Sequence, residues 1–574
     1  FSYAWKKLYE GSFVPDNGVT DQPMYNAQGE IYAIAKNVVK DRTDNHTSIV
    51  FDVNGQWKVL SKYDQLLHLV AGYRSYSDTY NSNYAMGYNT GSDNMTQLSN
   101  TTAALRHSKG INDNWKSESW YLNADYGYRN RYLLNFAMAM DASSRFGAKS
   151  GDFTLGNIPW AVFPSVTAGW LVSSEKFMKP VRFINYMKLS AGYGLAGNDY
   201  LPNYASRSYF ESIRYRDAVS GLTLANIGNE KLKWETTASA HFSLDMSLLD
   251  NRWSLHAEVY KNRTKNLLIQ KSLSEVAGQQ YYWANGGELQ NNGFNLRTNV
   301  RILNETDLKV DAGFSIGHYK NKILSLDDPQ YINNVWGAQV LTEVGRPAGV
   351  FYGYKTQGVF KTSAEAEAAG LSVQDNTGKL TSFKAGDMHF LNADASDKLI
   401  NQKDRQVIGD PNPDVYGNFT LNVSYRNFSL GALFTYVYGN DVYNALRANL
   451  ESGKSVYNQS TAMQNRWVAE GQATGIPRAT YGDPMGNARF SDRWIEDGSY
   501  LKCKSLTLSY KVPLQSSYLH GFTLWTSVNN LFTLTKYLGP DPEVSYGSSV
   551  LNQGIDAGLL PQTRTFYFGI NLNL

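Results

Sequence analysis

Asp245 and Glu258, with His241 and His256 beside them, are the residues from which chemistry would most readily be built. If the segment is a pair of strands, alternation sets both carboxylates on one face, and two carboxyl groups flanking a glycosidic bond are what a glycosidase uses. The two histidines fall on neighbouring strands of the same pair, among polar residues. The chain has no nucleophile elbow, no phosphate-binding glycine loop and no zinc helix motif to give these groups a catalytic context. They read as polar residues on the inner face of a sheet, and no catalytic residue is assigned.

A second candidate is rich in oxygen. Asn392, Asp394, Ser396 and Asp397 present side-chain oxygens at nearly alternate positions, the donor type that calcium or magnesium takes. The glycine that turns such a loop sharply is missing and the spacing is irregular, so a loop closed by its own hydrogen bonds is the competing reading. No cofactor is assigned, and no metal beyond this one candidate loop. A third resource is aromatic, with 40 Tyr and 13 Trp in the chain. Tyr281, Tyr282 and Trp283 in "GQQYYWANGG", and Trp336 in "YINNVWG", lie in polar connecting stretches. Flat rings there can stack on sugar faces or peptide side chains while nearby Asn and Gln bond polar groups. These four are the substrate-contact candidates, and packing of the connections against each other is the alternative.

The elements that would carry these residues are strands. The chain ends "RTFYFGINLNL", with Phe566, Phe568, Ile570, Leu572 and Leu574 at every second position. Phe242 to Leu248 is followed by Trp253 to Val259, Trp120 to Tyr128 by Tyr132 to Met140, and Phe294 to Ile302 by Leu308 to Ile316. Phe419 to Tyr425 turns at Arg426-Asn427 into Phe428 to Tyr438. Each is a strand pair joined by a tight turn, in strands of ~10 residues, the length of a tilted transmembrane strand. Long stretches rich in Gly, Asn, Asp and Tyr separate the pairs, notably 320–413 and 440–498. "SAEAEAAG", Ser363 to Gly370, is the one helix-like segment among them. Short and long connections alternate, as in outer-membrane barrels with short periplasmic turns and long extracellular loops. This bookkeeping runs the last strand inward, setting Leu574 and the C-terminus at the periplasmic rim. It divides the chain into a loop region at 1–47, a truncated start, and barrel strands over 48–574.

The totals agree. Net charge is +3 with scattered Lys and Arg, no footprint for nucleic acid, and the single Cys503 reads as a strand residue. No apolar run approaches the ~18 residues of a membrane-spanning helix, while a barrel hides its hydrophobicity in alternation. The count is about fifteen strands, an odd number that leaves edges needing partners in lipid. The first strands are therefore expected upstream of Phe1 or from another chain.

Several stretches resemble the SusC/RagA-like branch of TonB-dependent outer-membrane transporters. They are "EDGSYLKCKSLTLSYKVPL" (Glu496 to Leu514), "VGRPAGVFYGYKTQGVF" (Val344 to Phe360), "DRQVIGDPNPDVYGNFTLNVSYRNFSL" (Asp404 to Leu430), "NNLFTLTKYLGPDPEV" (Asn529 to Val544), "DASSRFG" (Asp141 to Gly147) and "FPSVTAGW" (Phe163 to Trp170). The resemblance implies an all-β chain, the C-terminal part of a plugged antiparallel barrel of about 22 strands, with plug and first strands absent here. It also implies active import of a glycan or peptide oligomer, a SusD-like surface lipoprotein as lid, and a TonB complex acting through the plug. A higher-order assembly of transporter and lipoprotein follows, and lid contact becomes a second use for Tyr281, Tyr282, Trp283 and Trp336. A passive pore or adhesin barrel, and a soluble extracellular β-rich glycan-binding protein, are the alternatives.

Overall fold

Alternation becomes long antiparallel ladders in the computed structural model, which describes residues 1–574 apart from 17–21, 26–29, 63, 216–218, 275, 277, 376, 514–518, 548 and 574. The chain divides into two units, one of Phe1–Gly169, Gly192–Ser239 and Thr264–Gly286, the other of Trp170–Ala191, Ala240–Arg263 and Gly287–Leu574.

In the first unit Ser2–Val14 pairs with Val38–Lys62, which pairs with Gln65–Tyr88, then Arg106–Tyr128, then Tyr132–Ser143, each neighbour antiparallel. Register sets Val53, Tyr73, Trp120 and Met140 side by side on one face. Ile49, Phe51, Val53 and Trp57 on that face are all exposed, which suits lipid and not water. The opposite face is polar: the Arg74 guanidinium donates to Asp52 at 2.7 Å, and the Tyr121 hydroxyl donates to the same carboxylate at 2.8 Å. Gly72 permits this, because a Cβ there would collide with the Tyr121 ring that crosses it.

Two expectations change in this unit. The interval 1–47, read from the sequence as a loop region, holds the strand Ser2–Val14 and the start of Val38–Lys62. Polar residues such as Lys40, Arg42 and Asp44 erase the apolar stripe there, yet the backbone ladder continues without it. Strand length changes too: Val38–Lys62, Gln65–Tyr88 and Arg106–Tyr128 have 25, 24 and 23 residues. That is more than twice the ~10 residues a bilayer needs, so each strand carries a polar half beyond the hydrocarbon.

In the second unit Glu288–Asn304, Leu308–Ser325, Val415–Tyr425, Phe428–Tyr438, Tyr500–Val512, Gly521–Thr535 and Thr565–Asn573 pair in that order, all antiparallel. Arg426 takes φ 52° in the turn read from the sequence. Phe314, Phe419, Phe434, Cys503 and Phe532 fall in one cross-strand row, so the lone cysteine is a buried strand residue between aromatic neighbours. Phe566, Phe568, Ile570 and Leu572 of the last strand are exposed as a stripe, whereas Leu574 lies outside the described residues.

The stretches 320–413 and 440–498 are folded rather than open. Phe360, Phe383, Met388, Phe390 and Met485 form one buried cluster, and Phe351, Tyr443, Trp494 and Ile555 another. Asp387 is buried beside the first cluster and accepts from Arg478, Asn487 and the Lys384 amide at 2.8–3.0 Å, so its charge is met on several sides. The helix-like segment forms Ser363–Ala369; the Thr362 hydroxyl accepts from the Glu365 amide, and Gly370 at φ 64° ends it.

Lys502 fastens the connection 536–564. Its side chain is 1% exposed, and the ammonium donates to Asp541 at 2.7 and 2.9 Å and to Glu543 at 2.9 Å. Lys504 adds bonds to Glu543 at 2.6 Å and Gln562 at 3.2 Å. Burial works to raise the Asp541 carboxyl, but Lys502 and the Glu543 and Gln562 amides outweigh it and hold the group below its ordinary value. Lys502→Met should strand a buried carboxylate, cost about 3–5 kcal/mol locally, and open 536–564 to protease while the strands stay folded. A group with a depressed folded pKa stabilises fully above its unfolded value of 3.8 and loses that contribution as pH falls through the folded value. Protease cutting of 536–564 in the wild type should therefore rise only below that value and approach the Lys502→Met rate.

Candidate functional site

Inward positions of the second unit's strands enclose a cavity of about 540 Å³ lined by His256, Glu258, Asn295, Arg297, Tyr416, Tyr500 and Glu543 among others. Alternation makes it: Asn295 and Arg297 flank the outward Leu296, and register runs from Asn295 through Gly317 to Tyr416. A Cβ at Gly317 would come within 2.7 Å of the Tyr416 ring, so that glycine lets the ring lie across the neighbouring strand. Tyr416 meets Tyr319 edge to face with centroids 6.1 Å apart, and the Tyr319 hydroxyl donates to Asn412 at 3.2 Å. Glu543 reaches the cavity because Lys502 and Lys504 hold it there.

The wall mixes apolar and polar groups and carries both signs of charge. Asn295 donates to Glu258 at 3.3 Å, and Arg297 has no hydrogen-bond or ion-pair partner among the described residues. Asp245 turns to different partners, with His256 at 2.7 Å and Lys188 at 3.7 Å. The two carboxylates considered as a glycosidase pair are thus held by different neighbours, one in an ionic cluster and one on the cavity wall. Arg297, Tyr416, Tyr500 and Glu543 were not singled out from sequence. Alternation over Phe294 to Ile302 sets Arg297 opposite the apolar stripe, whereas Tyr416 lies just before the strand read at Phe419 to Tyr425 and Glu543 lies within "GPDPEV".

The four aromatic candidates separate into two places. Tyr281, Tyr282 and Trp283 lie on Tyr281–Asn285 in the first unit, paired with Leu268–Ser272 so that Trp283 faces Gln270 and Tyr282 faces Lys271. Trp283 packs on the buried cluster of Phe146, Phe163, Leu232 and Trp234, and its carbonyl accepts from Asn229 at 3.0 Å. Tyr281 is the exposed member. Trp336 belongs to the second unit, at φ 51°, half exposed, with Tyr546 edge to face at 5.3 Å. Its carbonyl accepts from the Tyr443 hydroxyl at 3.2 Å. Burial pushes that hydroxyl up to about 12, so it remains a donor at any physiological pH.

In the oxygen-rich loop the side chains point at the chain itself. Asp394 accepts from the Ser396 amide and hydroxyl, which together hold it below the usual carboxylate range. Asp397 accepts from the Leu399 amide, and Asn392 donates to the Asp397 carbonyl at 2.6 Å. The buried Asp404, absent from the sequence candidates, organises the loop by accepting from the Ala393, Asp394 and Asn401 amides. Its signal was the capping pattern Asn401-x-x-Asp404. Among the described residues no three His, Cys, Asp or Glu side chains are grouped to hold a metal ion.

The family model described as TonB dependent receptor-like, beta-barrel matches residues 2–531. TonB-dependent receptor P3 of Formosa agariphila is 30% identical over 529 residues, covering 88% of this chain and 50% of that protein. TonB-dependent receptor SusC of Bacteroides thetaiotaomicron is 27% identical over 484 residues, covering 79% and 43%. The RagAB peptide transporter shares the fold with a TM-score of 0.80 at 22% identity, over 99% of this chain and 59% of that one. The chain spans about half the length of the curated relatives it matches. With its antiparallel ladders, outward apolar stripes and polar inner wall, the chain belongs to the TonB-dependent receptor family and forms part of its β-barrel.

Proposed function

We propose that this chain is the barrel portion of an energy-coupled importer that carries an oligomeric nutrient, glycan or peptide, across a bacterial outer membrane. The observation that carries the reading is the second unit's cavity, whose inward groups of both charge signs leave Arg297 without an internal partner among the described residues. A wall built only to be solvated needs no such shaped set of donors, acceptors and rings, whereas one that holds a polar oligomer does. The relative named TonB-dependent receptor SusC supports a TonB complex as the source of energy, and the resemblance to the SusC/RagA-like branch implies a surface lipoprotein as lid.

Transport needs no covalent step from these residues. A site closed by a lid and folded connections binds substrate in one state, and force applied through a TonB-linked segment favours a second state that binds it less well. The chain's own task is to present rings and hydrogen-bonding groups around the substrate path. The buried clusters under 320–413 and 440–498 keep those connections shaped while they do so.

Two exposed aromatics test the reading with little risk to folding. In the full-length transporter with its lipoprotein, Trp336→Ala and Tyr281→Ala should each weaken substrate binding or lipoprotein association about tenfold or more, the loss expected for a stacking anchor. Thermal unfolding should stay unchanged. Unaltered affinity for both ligands in both variants would reduce these rings to packing of the connections. Uptake itself should stop when TonB is removed and binding should not, a split that a passive pore would fail to show.

A further inference from the structure

We propose that the outward face of the first unit holds the phosphorylated sugar headgroup of an outer-leaflet glycolipid, gripped by Lys116 and Arg207 over an apolar floor of Phe146, Ile158 and Pro159. The inference rests on the membrane placement that comes with the barrel.

The cleft has a volume of about 300 Å³ and opens beside the top of the lipid-facing stripe. Lys116 and Glu118 share a strand face with Trp120, whose ring lies 4.7 Å from that of Tyr73. Across the ladder Lys116 is in register with Ser77, Ile49 and Tyr3, and Glu118 with Ala142. Ile49 and Tyr3 are exposed outward residues, so the cleft continues the lipid surface and does not belong to the polar inner wall.

Depth places it at the headgroups. At the other end of the same strand, Tyr128 stacks on Tyr132 with centroids 6.3 Å apart and Arg129 sits 5.0 Å over the Tyr128 ring, the composition of an interfacial girdle. Twelve positions separate Tyr128 from Lys116. At ~3.3 Å per residue and a tilt of ~45°, that run crosses ~28 Å, close to the ~30 Å of hydrocarbon. Lys116 therefore emerges where the opposite headgroup layer begins.

The chemistry selects the ligand. Lys116 and Arg207 are exposed and have no ion-pair or hydrogen-bond partner for their charged ends among the described residues, whereas nearby Lys149 is paired with Glu230 at 3.0 Å. Two free cations favour a phosphate. Glu118, also without a cation partner among the described residues, would repel a bare phosphate, but it accepts sugar hydroxyls well. A phosphate on a sugar ring uses all three side chains. Leu155, 60% exposed on the hairpin that supplies Ile158, offers apolar contact for acyl chains.

The test compares the wild-type full-length transporter with a Lys116→Gln, Arg207→Gln double variant, in phosphatidylcholine nanodiscs containing diphosphoryl lipid A. Mass spectrometry would read the lipid A retained per protein after washing. The wild type should keep it, and the variant should fall about thirtyfold in apparent affinity, the effect of two interfacial cations. Thermal unfolding should not change, because both side chains are exposed. Equal retention overturns the site, and so does displacement of bound lipid A by equimolar inorganic phosphate, or equal retention of a dephosphorylated lipid A. Failure of the protein to enter the nanodisc would overturn the membrane reading itself, an outcome distinct from entry followed by equal retention.

Discussion

A backbone that enters hydrocarbon must satisfy every N–H and C=O within the protein, since each one left open costs several kcal/mol and water is absent. The rest of this chain follows from that requirement. Ladders such as Val38–Lys62 with Gln65–Tyr88 pair nearly residue for residue over their whole length. Strand geometry then commits alternate side chains to opposite environments. Val53, Tyr73, Trp120 and Met140 can only be a lipid face once Asp52, Arg74 and Tyr121 are a polar one. A one-residue slip would exchange the two faces throughout, so register is held by every apolar residue at once.

The same period made the fold legible. Strand pairs at 294–316 and 419–438, the turn at Arg426 and the outward stripe from Phe566 to Leu572 could all be read from spacing alone. Legibility stopped where one face lost its apolar residues. Ser2–Val14 and residues 38–47 pair perfectly well, but Lys40, Arg42 and Asp44 carry no hydrophobic signal, and the segment looked like a loop. Beyond the lipid a strand has no need of an apolar face, so its extension is invisible to a reading based on hydropathy.

The site was less legible for a related reason. A wall assembled from six strands and one connection draws one to three residues from each, and sequence order scatters them. Arg297 and Tyr416 are 119 positions apart and meet one cavity because Gly317 stands between their strands and lets a ring lie flat. Local motifs gave no account of the partners of other groups: the acids near Asn392 look like a cation loop in sequence, and in the structure their oxygens accept from Ser396, Leu399 and neighbouring backbone. Trp283 looked like a free stacking surface and is half committed to the cluster around Trp234.

What distinguishes the inner wall from the outer is the cost of changing it. Outward positions need only be apolar, and Phe, Leu, Ile and Val exchange there with modest effect. Lys502 has no such freedom. An ammonium 1% exposed exists only because Asp541 and Glu543 meet it, and those two carboxylates in turn decide where the connection 536–564 runs. Glu543 then stands on the cavity wall. A buried ion pair is a weak source of stability compared with apolar packing of the same volume, so stability is a poor reason for this one. It makes sense as a device that fixes one arrangement among many similar ones, by making every mispaired alternative bury an unmet charge. Under the proposed import function, connections that leave and regain one shape around a cargo gain from that selectivity more than from extra rigidity.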